Sequence, residues 1–206
     1  MSTSLTSDEQ RASYGIGRQI GDQLTENSFD GLDVEAVCAG IRDALKDAPL
    51  AISPTEINAA FDAVQRRMAL AQAEQGALLA TEGSQFLTDN AARAGVITTA
   101  TGMQYEVITM GSGTKPTRSA TVRTHYHGTL VDGTVFDSSY QRGEPAEFPV
   151  GGVIAGWTEA LQMMPVGSKW RLFLPPQLAY GERGAGGAIG PNATLIFDVE
   201  LLDIVG

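Results

Sequence analysis

The sequence predicts an α+β chain. An all-α N-terminal region with one long stem helix comes first, then an antiparallel β-sheet wrapped on a short helix. Three observations carry that reading. No proline occurs between Thr55 and Lys115. Helical periodicity ends around Gly95, and from there short segments alternate apolar and polar residues at a period of two. The 206 residues fit one large domain or two small ones, and the change of period divides them into residues 1–94 and 95–206.

The helical elements have clear starts. Ser7 and Gln10 form a capping box, with Asp8 and Glu9 in the positively polarised first turn. The helix they open runs through Tyr14, Ile16, Ile20 and Leu24, interrupted by Gly15, Gly17 and Gly21. Each interior glycine lowers helix stability by about 1 kcal/mol relative to alanine. Close approach of another helix would account for three of them. Asp33 caps a second helix to about Lys46, with Val34, Val37, Ile41 and Leu45 on one side. Ser53, Pro54 and Glu56 supply cap, first helical position and capping-box partner for a third. Carried to Arg93, that helix is ~60 Å long. Its middle, ALAQAEQGALLATEG, has few large apolar residues and reads as an exposed stem.

The two short helices and the start of the third then form a small apolar group at one end of the stem. Such a group buries too little surface to stand alone, and a symmetric dimer completing it across a two-fold axis is the economical solution. The competing arrangement is a monomeric bundle with the long helix broken near Gly76 or Gly83.

In the second part, Met103, Tyr105 and Val107 share one strand face, and Val122, Thr124, Tyr126, Gly128 and Leu130 share another. Trp170, Leu172 and Leu174 follow the same rule, as do Leu195, Phe197, Val199 and Leu201. One short helix, Thr158 to about Met163, starts beside Trp157 and is stopped by Pro165. A domain of about 110 residues results, close to the common size.

Composition narrows the function. Hydrophobic residues make up 43% and charged residues 18%, a globular balance, and the formal net charge is −10. That charge argues against nucleic acid or anionic membrane as the main partner. Seven basic residues stand against fourteen acidic ones before Gly95, and seven against ten after it, so the acidity lies mostly with the helices. Cys38 is the single cysteine, which suits a reducing compartment, and its apolar helical neighbours predict a buried, inert thiol. The N-terminus has no secretory pattern, and no window reaches the ~18 apolar residues of a membrane helix. The expected setting is cytoplasmic.

The chemistry points to the stretch VDGTVFDSSYQRGEPAEFPVGGVIAGW, from Val131 to Trp157. It offers apolar rings around one carboxylate, with no activated nucleophile and no cluster of metal ligands. His125 and His127 share a strand face, but it is the face opposite Tyr126, with no carboxylate or thiol beside them in sequence. The run Gly184-Ala185-Gly186-Gly187 lacks the Lys-Ser/Thr of a nucleotide-binding loop and reads as a flexible loop. On composition alone, an aromatic stripe is ordinary core.

The ordered motifs change that reading. VRTHYHGTLVDGTVFDSS, GVIAGWTEAL, MPVGSKW, LAYGERGAGG and PNATLIFDVELLDI resemble the FKBP-type peptidyl-prolyl isomerases over essentially all of residues 95–206. The helical part, with SYGIGRQIGDQL, is similar to the dimerisation region of the bacterial, Mip-like members. The resemblance implies Trp157 as the floor under a proline ring, and Tyr126, Phe136 and Phe197 as walls. It implies Tyr180 at the rim and Asp137 as the single carboxylate, oriented by Arg142. Phe148, Val153, Ile154 and Ile189 are implied as further substrate-binding residues, with the Ile154 N–H as a donor. Ala185 and Ala146 stand where other members carry bulkier residues, and His127 where the family usually has threonine.

The same resemblance implies an isomerase that needs no cofactor and no metal. An apolar pocket favours the twisted amide, whose carbonyl carries less charge, over the planar one. The expected partners are a second copy of the chain, joined through the N-terminal helices, and proline-containing unfolded or partly folded chains. Tacrolimus-like macrolides are the expected ligands from outside the cell's own proteins. The reading from another class is a holdase-type chaperone or proline-segment binding module without useful turnover.

Overall fold

The computed structural model describes residues 5–26 and 28–205. The outermost residues of both expected domains, 1–4 and 206, lie outside them. The chain divides into two compact units, Met1–Ala69 and Leu70–Gly206.

The first unit holds α1 (Asp8–Glu26), α2 (Val34–Leu45) and the start of α3 (Pro54–Ala91). Its helix starts follow the capping chemistry. Gln10 N donates to Ser7 Oγ at 3.3 Å while Ser7 N donates to the Gln10 side chain at 3.2 Å. Asp33 accepts from Glu35 N and Ala36 N. Ser53 and Glu56 exchange the same reciprocal pair of bonds at 3.0 and 3.3 Å.

What the unit lacks is a core. Among its described residues none is buried. Ile16, Val34, Ile41, Leu45, Phe61 and Met68 all remain exposed. Two expectations change as a result. Cys38 is exposed rather than buried, because none of the described residues covers that face of α2. Gly15, Gly17 and Gly21 have open space where their side chains would be, so no helix among the described residues accounts for them.

The third helix runs unbroken through Gly76 and Gly83 for 38 residues, about 57 Å. Most of its surface is exposed, as expected of a stem, but one face of its second half is covered. Gly76 and Gly83 are buried, and a Cβ on Gly83 would collide with Thr194 Oγ1. Phe86 packs on Phe173 with ring centroids 5.9 Å apart. Asn90 Nδ2 donates to Gln104 Oε1, and Gln104 Nε2 to Leu87 O, both at 2.8 Å and both largely buried. Gly76 and Gly83 are small because Pro191, Asn192 and Thr194 press against them, whereas Ala69, Ala71, Ala73 and Ala77 are exposed. Helix gives way to strand between Ala91 and Val96, yet the compact unit begins at Leu70. The expected boundary near Gly95 is therefore one of secondary structure and not of packing.

The sheet has seven antiparallel strands in the order β1-β2-β6-β7-β3-β4, with β5 paired to β3. In chain order they are β1 (Val96–Thr98), β2 (Gln104–Thr109), β3 (Thr121–Leu130), β4 (Val135–Ser138), β5 (Ala146–Pro149), β6 (Lys169–Leu174) and β7 (Leu195–Ile204). Alternation sets the faces. Val122, Thr124 and Tyr126 on β3, and Leu195, Phe197, Val199 and Leu201 on β7, are buried between more exposed neighbours. They pack with Trp170, Leu172 and Leu174 against α5 (Ala155–Met163), whose Trp157, Ala160 and Leu161 point into the same core. Tyr105 stacks on Trp170 at 4.5 Å. Between β4 and β5 lies a single-turn helix, α4 (Ser139–Arg142), capped by Ser138.

Candidate functional site

The wrap of the sheet around α5 leaves a cavity at one end, with a volume of about 550 Å³. β3 contributes Tyr126, β4 contributes Phe136 and Asp137, β5 contributes Phe148, and β7 contributes Phe197. Val153 and Ile154 precede α5, and Trp157 sits in its first turn. Tyr180 and Ile189 come from the segment between β6 and β7. All ten residues singled out from the sequence line this one cavity. Gly152, Ala185, Gly186 and Ala188 complete the lining.

Ring geometry explains the shape. Trp157, only 4% exposed, meets the edges of three rings: Tyr126 at 5.3 Å, Phe148 at 5.8 Å and Phe197 at 5.3 Å, all within 10° of perpendicular. Phe136 and Phe197 repeat the arrangement at 5.4 Å. Edge-to-face contacts of this kind favour upright walls over stacked ones. Gly128 makes room for two of them, since a Cβ there would lie 2.7 Å from the Phe136 ring and 2.9 Å from Phe197. Its place on the Tyr126 face is legible in the alternation, but its function as clearance for two rings depends on strand register. Gly128 is paired with Asp137 on one side and with Phe197 on the other.

The polar side of the cavity is a closed triangle. Tyr126 O–H donates to Asp137 Oδ2 at 2.5 Å, Arg142 Nη2 donates to Tyr126 Oη at 2.7 Å, and Arg142 Nη1 pairs with Asp137 Oδ1. Arg142 thus holds the tyrosine as well as the carboxylate it was expected to orient. Burial raises the Asp137 carboxyl. The hydrogen bonds from Tyr126 and Arg142, with the guanidinium charge, outweigh it and hold the group below the ordinary carboxylate range. Burial and the bond to Asp137 push the Tyr126 phenol up. The pair is therefore a neutral phenol donating to a carboxylate at neutral pH.

Tyr180 stands at the rim, 41% exposed, and its hydroxyl has no partner among the described residues. Ile189 is held by two backbone bonds to Ala185, at 2.9 and 3.0 Å, so the glycine run closes as a loop beside the cavity. Ala146 lies against the core but does not line the cavity. The two histidines point away from it: His125 Nδ1 is 2.9 Å from Ser139 Oγ, and His127 Nδ1 is 3.1 Å from Ser138 Oγ. Among the described residues no group of three or more His, Cys, Asp or Glu is placed to hold a metal ion.

An antiparallel sheet wrapped on one helix, with a ring-walled apolar cavity at its end, defines an FKBP-like isomerase domain. Comparison with known proteins agrees. The family model described as FKBP-type peptidyl-prolyl cis-trans isomerase matches residues 112–202. The model for the domain amino-terminal to it matches residues 9–107. The FKBP-type 22 kDa peptidyl-prolyl cis-trans isomerase of Escherichia coli is 51% identical over 197 residues, which is 96% of each chain. The outer membrane protein MIP of Legionella longbeachae is 40% identical over 98% of this chain and 88% of its own. The crystal structure of FkpA from Escherichia coli superposes with a TM-score of 0.68 at 38% identity, covering 98% of both chains. The chain belongs to the FKBP-type peptidyl-prolyl cis-trans isomerase family, with the helical N-terminal domain of its FkpA- and Mip-like members.

Proposed function

We propose that the cavity accelerates X-Pro rotation without covalent chemistry, and that a homodimer presents two such cavities to partly folded chains. The observation that carries the first part is the cavity's lining: six aromatic rings around one ion-paired carboxylate. A proline ring seated on Trp157 between Tyr126, Phe136, Phe148 and Phe197 leaves its preceding amide in a place of low dielectric. There the twisted amide, with its smaller carbonyl charge, is favoured over the planar one, and the barrier of ~18–20 kcal/mol falls. Tyr180 is the rim donor to a substrate carbonyl, and Val153, Ile154 and Ile189 complete the apolar contact. Asp137 acts as a fixed negative neighbour of the twisting bond, not as an acid or base. Tacrolimus-like macrolides fit the same cavity.

The role of Asp137 has a pH signature. A carboxyl held below its unfolded value, ~3.9, makes its contribution above that value and loses it as pH falls through the folded one. Turnover of a short X-Pro peptide is expected to show no break from Asp137 between pH 5 and 8. A break in that window that disappears in Asp137→Asn would show that the carboxylate titrates near neutrality, against this role.

The dimer rests on the first unit. Its exposed Val34, Ile41, Phe61 and Met68, the open space beside Gly17 and Gly21, and the missing core all favour a second copy as the cover. In sedimentation, the full chain is expected at twice its 21.7 kDa mass. The double variant V34D/F61D is expected at the monomer mass with peptide turnover intact and refolding of a proline-limited protein weakened. A monomeric wild-type chain would overturn the dimer. We place the protein in the cytoplasm because its single cysteine leaves no intramolecular disulfide to form.

A further inference from the structure

Tyr126 is anchored twice. Its hydroxyl is held by Asp137 and Arg142, and its backbone is held by a side chain. β4 ends at Ser138, which pairs with His127, so the next step along β3 has no strand residue opposite. Ser139 fills the place with its hydroxyl. Tyr126 N donates to Ser139 Oγ at 2.7 Å, and Ser139 Oγ donates to Tyr126 O at 3.2 Å. The serine is fully buried. Its third partner is His125 Nδ1, at 2.9 Å.

Counting protons decides the state of that histidine. A serine hydroxyl has one proton and two lone pairs. Tyr126 N–H occupies one lone pair. A His125 Nδ1 without a proton would compete for the hydroxyl proton, but the Tyr126 carbonyl would then lose Ser139 as its donor, at the cost of an unsatisfied buried acceptor, so we give the proton to the carbonyl. What is left for His125 is the second lone pair, and His125 must donate to it from Nδ1–H. His127 is less constrained. Ser138 Oγ accepts from Gln141 N at 3.3 Å and its other partner among the described residues is His127 Nδ1, so the Ser138 proton is free to go to that nitrogen. His127 can therefore sit in either tautomer, with Ser138 donating to its Nδ1 or accepting from it, and only His125 is constrained. The His125 ring is held in place by stacking on Tyr140 at 4.6 Å, whose hydroxyl donates to Glu200.

We propose that His125, kept as the Nδ1–H tautomer, is a positioning residue for the isomerase cavity. By completing the hydrogen bonds of Ser139 it fixes the Tyr126 backbone, and with it the phenol that donates to Asp137. The effect runs through the sheet, from the face turned away from the cavity to the wall inside it. This rests on the cavity being the site of isomerisation, but the tautomer does not, and the two fail separately.

The first measurement is ring-nitrogen correlation NMR on the wild-type chain at pH 8, above the ordinary imidazole range of about 6.5. His125 is expected protonated on Nδ1; His125 protonated on Nε2 overturns the proposal. The second is turnover. His125→Asn can offer an amide N–H at similar reach and is expected to keep kcat within about twofold, while His125→Leu lowers it by about three- to tenfold with KM held. Wild-type kcat in His125→Leu, equal losses in both variants, or a loss carried wholly by KM would each overturn it.

Discussion

Trp157→Ala is expected to lower kcat/KM on an X-Pro peptide by about a hundredfold and to destabilise the catalytic unit by about 3–5 kcal/mol. The two effects share a cause. Trp157 is the floor on which Tyr126, Phe148 and Phe197 stand by their edges, and its removal leaves those walls without a common support. Each ring pair lost is worth about 0.5–1.5 kcal/mol beyond the apolar area. Trp157→Phe separates floor from fold. It keeps a ring at the position and removes the indole N–H, which is buried without a partner among the described residues. Stability near wild type with turnover reduced to an intermediate level is the expected result, read by a protease-coupled assay and a thermal melt. Wild-type turnover in Trp157→Ala would show that proline does not sit there.

The second large effect concerns where the catalytic unit begins. A fragment starting at Leu70 is expected to fold and to turn over short peptides. One starting at Gly95 is expected to be less stable by on the order of 3–5 kcal/mol, the burial of about two large apolar side chains. For a unit of this size that lowers Tm by about 10–20 °C. The missing segment is the second half of α3. It covers Phe173 with Phe86, lays Leu79 against the core, and supplies Asn90 to Gln104. Gly83→Val tests the same contact in the full chain. Its side chain would enter the space of Thr194 Oγ1, and overpacking of this kind costs about 1–3 kcal/mol. Equal melting of the two fragments would place the boundary back at Gly95.

Much of this is legible in the residues. The caps Ser7, Asp33 and Ser53 act through neighbours three positions away, so the sequence shows both partners. Period-two alternation likewise places Tyr126 and Phe197 on inward faces, because a strand's face is decided by its own residues. The remaining site residues depend on the order of the motifs; Phe136 and Tyr180 have no local signature of a wall or a rim. What stays hidden depends on contacts between distant segments. ALAQAEQGALLATEG reads as exposed and mostly is, but Gly76 and Gly83 are covered, and glycine looks the same beside water and beside a close-packed loop. Gln104 is buried through its bonds to Asn90 and Leu87, partners fourteen and seventeen positions away. Spacing alone puts Arg142 near Asp137, whereas its bond to Tyr126 needs α4 to turn back over β3. Cys38 has apolar neighbours that suggest burial, and this chain by itself does not bury them.

Both tryptophans, Trp157 and Trp170, are buried in the second unit, 4% and 3% exposed, while the first unit contains neither. Intrinsic tryptophan emission therefore reports on the sheet and its cavity alone. Far-ultraviolet circular dichroism is weighted instead toward α1, α2 and α3. The two signals weight the units differently, since α1, α2 and the start of α3 lie in the unit without tryptophan, and their midpoints coincide only if both units unfold in a single cooperative step.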